Sequence, residues 1–237
     1  MSSLFFVRHG QASFLQEDYD QLSPLGERQS RVLGEHWAAL GMQVDRVYVG
    51  PKQRHLQTER AVASIYQAKG LPWPVPEPLP ELDEHQGFEV MQHVLPNLII
   101  TDPVIGELVG ATTKFEHLET DIRLKILRRV MRLWLRDKVD ASNFESWLAF
   151  KIRVQAGLKK MTAANDGGRN VLAFTSGGPV GVTTGSTLKL ADEKMLELAW
   201  ATRNGAYAEF LFSGKRISLI TFNSASHFQK LELLTYI

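Results

Sequence analysis

The chain of 237 residues contains no cysteine. That excludes disulfide scaffolding, thiolate catalysis and cysteine-based zinc or iron–sulfur sites. No apolar run is long enough to span a bilayer. The net charge is only +1, so no global field draws the chain to nucleic acid or to an acidic membrane surface. Neither is expected as a partner. The start, Met1-Ser2-Ser3, lacks the basic cluster and long apolar core of a secretory signal, which makes the cytoplasm the expected location. There is no internal repeat and no low-complexity tract. What is present is balanced: 44% apolar and 22% charged residues, as in globular proteins. The length suffices to bury a sizeable core in one large α/β domain or two small ones.

Residues 4–7 form a short continuous apolar run, the signature of a strand buried on both faces. Ser23 is a candidate N-cap with Pro24 at the first helical position, and Val32, Leu33, Trp37 and Leu40 recur at helical spacing before Gly41. A second strand is predicted at residues 44–49 and a helix at about 52–69. Residues 70–80 hold five prolines and must be extended. Residues 88–161 read as largely helical. Within them Ile122, Ile126, Val130 and Trp134 make one apolar stripe, opposite a solvated basic face of Arg128, Arg129, Arg132 and Arg136. Residues 170–174 are another buried strand. Two helices follow, the second near 191–199. Residues 206–212 and 216–222 pair around Ser213-Gly214-Lys215.

Strands alternating with helices predict an α/β three-layer sandwich with a mostly parallel sheet. The whole chain, 1–237, is then one domain carrying a helical insertion at about 88–140. Ligands in such sheets bind beyond the carboxyl ends of the strands. Arg8-His9-Gly10, Gly50-Pro51 and Ser176-Gly177-Gly178 each directly follow a predicted strand. Three candidate site loops therefore share one sheet edge.

These motifs carry a resemblance. Arg8-His9-Gly10 after the first strand resembles the signature of the histidine phosphatase superfamily, also called phosphoglycerate mutase-like. Leu22-Ser23-Pro24-Leu25-Gly26 with Gln29 is similar to its helix opening L-T-x-x-G-x-x-Q. Gly50-Pro51-x-x-Arg54-x-x-x-Thr58 resembles its S-P-x-x-R-x-x-x-T. Leu82-Asp83-Glu84 resembles its L-x-E, and Phe150-x-x-Arg153-Val154 the helix before its last core strand. Asn223 with His227-Phe228 resembles the terminal N-x-x-x-H-L.

The resemblance implies a small-molecule phosphoester as substrate and a phosphohistidine intermediate. Arg8 and Arg54 would neutralise and hold the phosphoryl oxygens, as forked guanidiniums do. His9 would be the nucleophile. Gly10 would let the backbone pass close to the phosphate and fix the imidazole through its carbonyl or amide. Glu84 would be general acid and then base, with Asp83 or Glu81 as alternatives. No cofactor or metal is implied, because the arginines supply the neutralisation.

One position departs from the pattern. The family carries a second histidine in an S-H-G-G-like turn, which hydrogen-bonds the phosphoryl oxygens and adds charge. Here Ser176 stands in its place. Losing one such preorganised donor costs about 10²–10³-fold in rate. Two substitutes are expected. Ser176 with the Gly177 and Gly178 amides could form an anion nest at a helix N-terminus, or His85 or His227 could bring an auxiliary imidazole. His36, His55, His93 and His117 fall on predicted helices and read as surface or packing residues. The principal reading is a phosphomonoester hydrolase. Its alternative is a regulatory protein that binds a phosphoester with little turnover. A mutase ranks last, for want of a long closing tail after His227. Substrate specificity is expected from the proline loop and the helical middle, with Phe14, Phe88 and the basic face of Arg128, Arg129, Arg132 and Arg136, as a rim for an anionic substrate, as candidates.

Overall fold

The computed structural model describes residues 1–12, 20–110, 115–163, 168–214 and 216–236. It divides into two compact units, residues 1–84 with 153–237, and residues 85–152. The first contains the sheet and every residue of the expected phosphate site. The second is wider at both ends than the predicted insertion.

In the first unit, β1 (Ser2–Arg8), β2 (Arg46–Val49), β3 (Glu77–Pro78), β4 (Asn170–Thr175), β5 (Tyr207–Ser213) and β6 (Arg216–Ser224) form one sheet, ordered β3-β2-β4-β1-β5-β6. The first four of that order pair in parallel, and β5 and β6 add antiparallel. The mixed, mostly parallel sheet is as expected. β2 starts two residues later than predicted, at Arg46. Lys215, in the predicted hairpin turn, lies outside the described residues.

Side-chain alternation builds the layers. On one face Phe5, Val7, Val47, Val49, Leu172 and Phe174 pack with Leu33 and Trp37 of α1 (Pro24–Ala39) and Val62 and Tyr66 of α2 (Gln53–Ala68). On the other face Leu4, Phe6, Tyr48, Val171 and Ala173 meet Leu82, Met161 and Val180. Both faces are covered, which is why the central strands read as continuous apolar runs. Ser23 caps α1 as expected, its hydroxyl accepting from the Gly26 N–H at 3.1 Å, with Pro24 in the first turn.

The second unit carries α3 (Gly87–Thr101), α4 (Pro103–Val109), α5 (Thr120–Leu135) and the first residues of α6 (Trp147–Thr162). Asp102 caps α4 by accepting from the Val104 and Ile105 N–H groups, both at 3.1 Å. Its other oxygen takes Arg129 at 2.9 Å. That arginine therefore leaves the solvated face, where Arg128, Arg132 and Arg136 remain exposed.

Two helices complete the first unit: α7 (Gly177–Thr187) and α8 (Asp192–Ala201). Glycines and β-branched residues give α7 poor intrinsic propensity. Its packing compensates. A Cβ on Gly177 would fall 2.8 Å from the Ala199 carbonyl oxygen, one on Gly181 2.4 Å from the Met195 carbonyl oxygen, and one on Gly185 2.4 Å from Met195 Cγ. The i, i+4 glycines make a flat stripe against which α8 lies.

Candidate active site

The carboxyl ends of β1, β2 and β4 adjoin, so the loops beginning at His9, Gly50 and Ser176 converge. His9 is held first. Its backbone N–H donates to the Thr175 carbonyl at 2.8 Å, and only 4% of the residue is exposed. Its Nδ1 lies 2.7 Å from the Gly10 carbonyl oxygen. A carbonyl can only accept, so Nδ1 carries the proton. Arg54 Nε–H, which can only donate, meets His9 Nε2 at 3.2 Å. Both contacts require the same tautomer, with a lone pair on Nε2. Burial first, then the charges of Arg54, Arg8 and His55, hold this imidazole well below its usual pKa despite the opposing Gly10 bond. The ring is neutral near pH 7.

Arg54, buried in the first turn of α2, also donates from Nη1 to Asp20 Oδ1 at 2.7 Å and from Nη2 toward Ser176 Oγ at 3.5 Å. Asp20 accepts the Gln53 N–H as well, at 2.9 Å. Sequence reasoning missed Asp20, and no motif flags it. Arg8 ends β1 and donates from Nη1 to the Thr202 carbonyl.

Gly10 fixes the imidazole through its carbonyl, one of the two expected ways, and its amide is engaged elsewhere. Its amide donates to Thr58 Oγ1 at 3.1 Å and its carbonyl takes His9, so neither group is left for phosphate. Thr58 in turn donates to the Arg54 carbonyl at 2.7 Å, which is why arginine and threonine are spaced one helical turn apart. Glycine is needed because a Cβ would fall 2.2 Å from the Gly26 carbonyl oxygen. Gly26 returns the constraint: its own Cβ would lie 2.0 Å from the Gln11 carbonyl oxygen. Gln29 locks the same loop, accepting from the Gln11 N–H and donating to the Leu233 carbonyl, both at 2.8 Å.

At the end of β4, Ser176 is fully buried and precedes α7. An imidazole does reach it, from an unexpected source. His55 Nε2 lies 2.6 Å from Ser176 Oγ, and the His55 and His9 rings are 5.8 Å apart. His55 is fully buried, not a surface residue. Burial, then Arg54 and Lys52, push its pKa well below the usual value, against a Gly50 backbone bond. The signal available in the sequence was its adjacency to Arg54 in a helix's first turn.

Gly177 adjoins Arg8, with its Cβ position 3.8 Å from Arg8 Nε. The Gly178 amide expected in the anion nest instead donates to Glu84 Oε2 at 3.1 Å. Glu84 thus joins the cluster. Asp83 Oδ1 accepts the Glu84 N–H at 2.8 Å and faces Lys52 at 3.8 Å, and burial raises its pKa. Glu81 turns to Lys160, whose hydrogen bond lowers its pKa. Arg153 Nη1 fixes this acidic loop by donating to the Glu81 and Asp83 carbonyls, both at 3.1 Å. Thr175 Oγ1 adds a bond to the Leu82 carbonyl at 2.6 Å.

The two auxiliary histidines have other surroundings. His85 packs on Trp134 and Phe150 within the helical unit, with ring separations of 5.6 and 5.5 Å. His227 packs on His36, Tyr207 and Phe228, and burial pushes its pKa down to about 4. Neither takes the place beside Ser176. Phe14 lies outside the described residues, and Phe88 is exposed on α3.

The cluster therefore joins a buried neutral imidazole whose Nε2 lone pair faces Arg54, two guanidiniums, a carboxylate and a second imidazole. The family model of the histidine phosphatase superfamily (branch 1) matches residues 4–91 and 109–225. No curated protein sequence matches the chain. Among solved structures, a phosphoserine phosphatase from Entamoeba histolytica in complex with 3-phosphoglyceric acid is 16% identical, with a TM-score of 0.62, covering 96% of this chain and 99% of that one. A mycobacterial glucosyl-3-phosphoglycerate phosphatase is 17% identical, with a TM-score of 0.61, covering 94% of this chain and 99% of that one. A phosphoglycerate mutase from Bacillus anthracis is 16% identical, with a TM-score of 0.61, covering 95% and 94%. These likenesses concern the fold, which hosts both hydrolases and a mutase. With the family model matched over most of its length, the chain belongs to the histidine phosphatase superfamily.

Proposed function

We propose that the protein hydrolyses a small phosphomonoester through a phosphohistidine on His9, without a metal. The observation that carries this reading is the tautomer. His9 Nδ1–H is spent on Gly10, so the Nε2 lone pair faces the cationic cluster. Arg8 and Arg54 hold the phosphoryl oxygens and cancel the charge that repels a nucleophile. His9 Nε2 then forms a bond to phosphorus as the ester P–O bond breaks. The departing alkoxide takes the proton of the Glu84 carboxyl. Glu84, now a carboxylate, removes a proton from water, whose oxygen attacks the phosphohistidine. Inorganic phosphate leaves, and His9 and protonated Glu84 are restored. Glu84 is preferred over Asp83 and Glu81 because it bonds to the start of α7 beside Ser176.

The test is hydrolysis of p-nitrophenyl phosphate between about pH 5 and 8 with a chelator present. Wild type turns over, His9→Ala falls by at least about 10³-fold, and quenched wild type carries an acid-labile phosphate. Equal rates in both proteins would remove His9 from the mechanism. The second reading, a phosphoester-binding protein, is favoured by Ser176. It requires saturable phosphate binding with neither turnover nor covalent phosphate.

A further inference from the structure

Three positions depart from the family pattern or its expectations, and the structure brings them into contact. Ser176 replaces the second histidine. His55, one residue beyond Arg54, places Nε2 2.6 Å from the Ser176 hydroxyl. Gly50 stands where the pattern S-P-x-x-R has serine, and a Cβ there would fall 2.4 Å from His55 Nδ1 and 2.9 Å from the Leu82 carbonyl oxygen. The His55 ring occupies the space that a side chain at position 50 would need. The missing Cβ, the added ring and the shortened side chain at 176 fit as one rearrangement.

We propose that His55 and Ser176 act as a single unit in place of the second imidazole, with the Ser176 hydroxyl contacting a phosphoryl oxygen and His55 the positioning residue that orients and charges it. The inference rests on the phosphate site proposed above and deepens it.

The reason lies in proton counting. A serine hydroxyl has one proton. When His55 Nε2 is bare, that proton points to the ring, and Ser176 offers a phosphoryl oxygen only lone pairs. When the ring is doubly protonated, Nε2–H donates to Oγ and the hydroxyl proton turns outward. The pair then brings one hydrogen bond and a positive charge one bond behind it. Arg54 Nη2 approaches the same oxygen at 3.5 Å.

Several charges bear on this ring. Arg54 and Lys52 come from the start of its own helix, and His9 faces it from the end of β1. Asp20 offsets Arg54, Asp83 faces Lys52, and Glu84 sits on the Gly178 amide at the start of α7. Burial and the adjacent cations keep His55 neutral. A bound dianion opposes those cations and raises the affinity of the ring for a proton. Dianion binding and proton uptake at His55 are therefore linked.

Two measurements test this. The first is a mutant cycle on p-nitrophenyl phosphate hydrolysis. His55→Ala and Ser176→Ala are each expected to lower kcat by about 10²-fold, and the double variant no further than either, as for groups acting as a unit. Gly50→Ala should mimic His55→Ala and add nothing to it. The variant with both His55→Ala and Ser176→His should regain at least about tenfold over His55→Ala/Ser176→Ala, because it returns an imidazole to the expected place.

The second is calorimetry of sulfate binding near pH 7.5 in buffers of different ionisation enthalpy, which needs no turnover. Wild type and His9→Ala take up protons on binding. His55→Gln, which can hydrogen-bond Ser176 but cannot be charged, does not. Melting curves establish that each variant is folded, and His55→Gln serves where His55→Ala is not. Additive losses, unchanged proton uptake in His55→Gln, or acid-stable phosphate on Ser176 would overturn the proposal. Failure of wild type to hydrolyse any ester would sink the phosphatase reading, while the sulfate titration still decides the fate of the pair.

Discussion

The end of β1 and the end of β4 lie side by side, yet they are built by different logic. At the end of β1 the chemistry is local. Gly10 sets the His9 tautomer, Thr58 holds Gly10, and Gly26 admits the loop. At the end of β4 the local residue, Ser176, is incomplete. Its imidazole arrives from α2, 121 positions away in sequence. Neighbouring strand ends can draw their polar partners from near or far along the chain, provided that the space is cleared for them, as at Gly50.

The sharpest way to break the comparison is at Arg54, which touches both ends. Arg54→Ala should cut kcat/KM by about 10³-fold or more, and Arg54→Lys should recover only a small part, because one ammonium cannot reach His9, Asp20 and Ser176 together. Steady-state kinetics on an aryl phosphate would show it. Recovery to wild-type rates in the lysine variant would mean that charge alone matters there.

A smaller effect is expected from the acidic loop. Arg153→Met removes the donor that binds the Glu81 and Asp83 carbonyls and should lower kcat by roughly 10–10²-fold through misplacement of Glu84. KM should change little. An equal rise in KM would place Arg153 in substrate binding instead.

Gly26→Ala tests the β1 end as a packing problem. Its Cβ meets the Gln11 backbone, so the loop or α1 must shift, at about 1–3 kcal/mol of stability. Chemical denaturation measures this directly. A neutral substitution would show that the loop has slack.

The mildest prediction separates histidines inside the site from one outside. Burial holds the His227 pKa down to about 4 from its usual 6.5. Its folded pKa is depressed, so the unfolded chain binds more protons between those values. The stability it contributes is complete above pH 6.5 and is lost as pH falls toward about 4. His227→Gln should flatten the loss of Tm across that window. Sulfate should protect against acid through His9 and His55 but leave the His227 component unchanged.

How much of this was legible follows from where each signal lies. Arg8-His9-Gly10, Ser23-Pro24 and the arginine–threonine spacing of α2 are short-range, and each does locally what its residue types require. The four-residue step from Arg54 to Thr58 is one helical turn, so the sequence alone implies their contact. The Gly10 carbonyl holds the His9 ring, one of the two ways expected, but nothing in its neighbours reveals that Thr58 takes its amide. The partner of the Gly178 amide was hidden for the same reason: Glu84 is distant in sequence. Arg153 was recognised as part of a motif, but its hold on the acidic loop appears only in three dimensions.

By itself, the sequence determined the α/β class, the buried central strands, the helix starts and the candidate residues Arg8, His9 and Arg54. Those depend on period, caps and neighbouring residues, which are interactions within a few positions along the chain. The tertiary structure decided which imidazole meets Ser176, which carboxylate meets α7, and which glycines are obligatory. Those depend on the volume left between elements that the chain brings together only after it has folded.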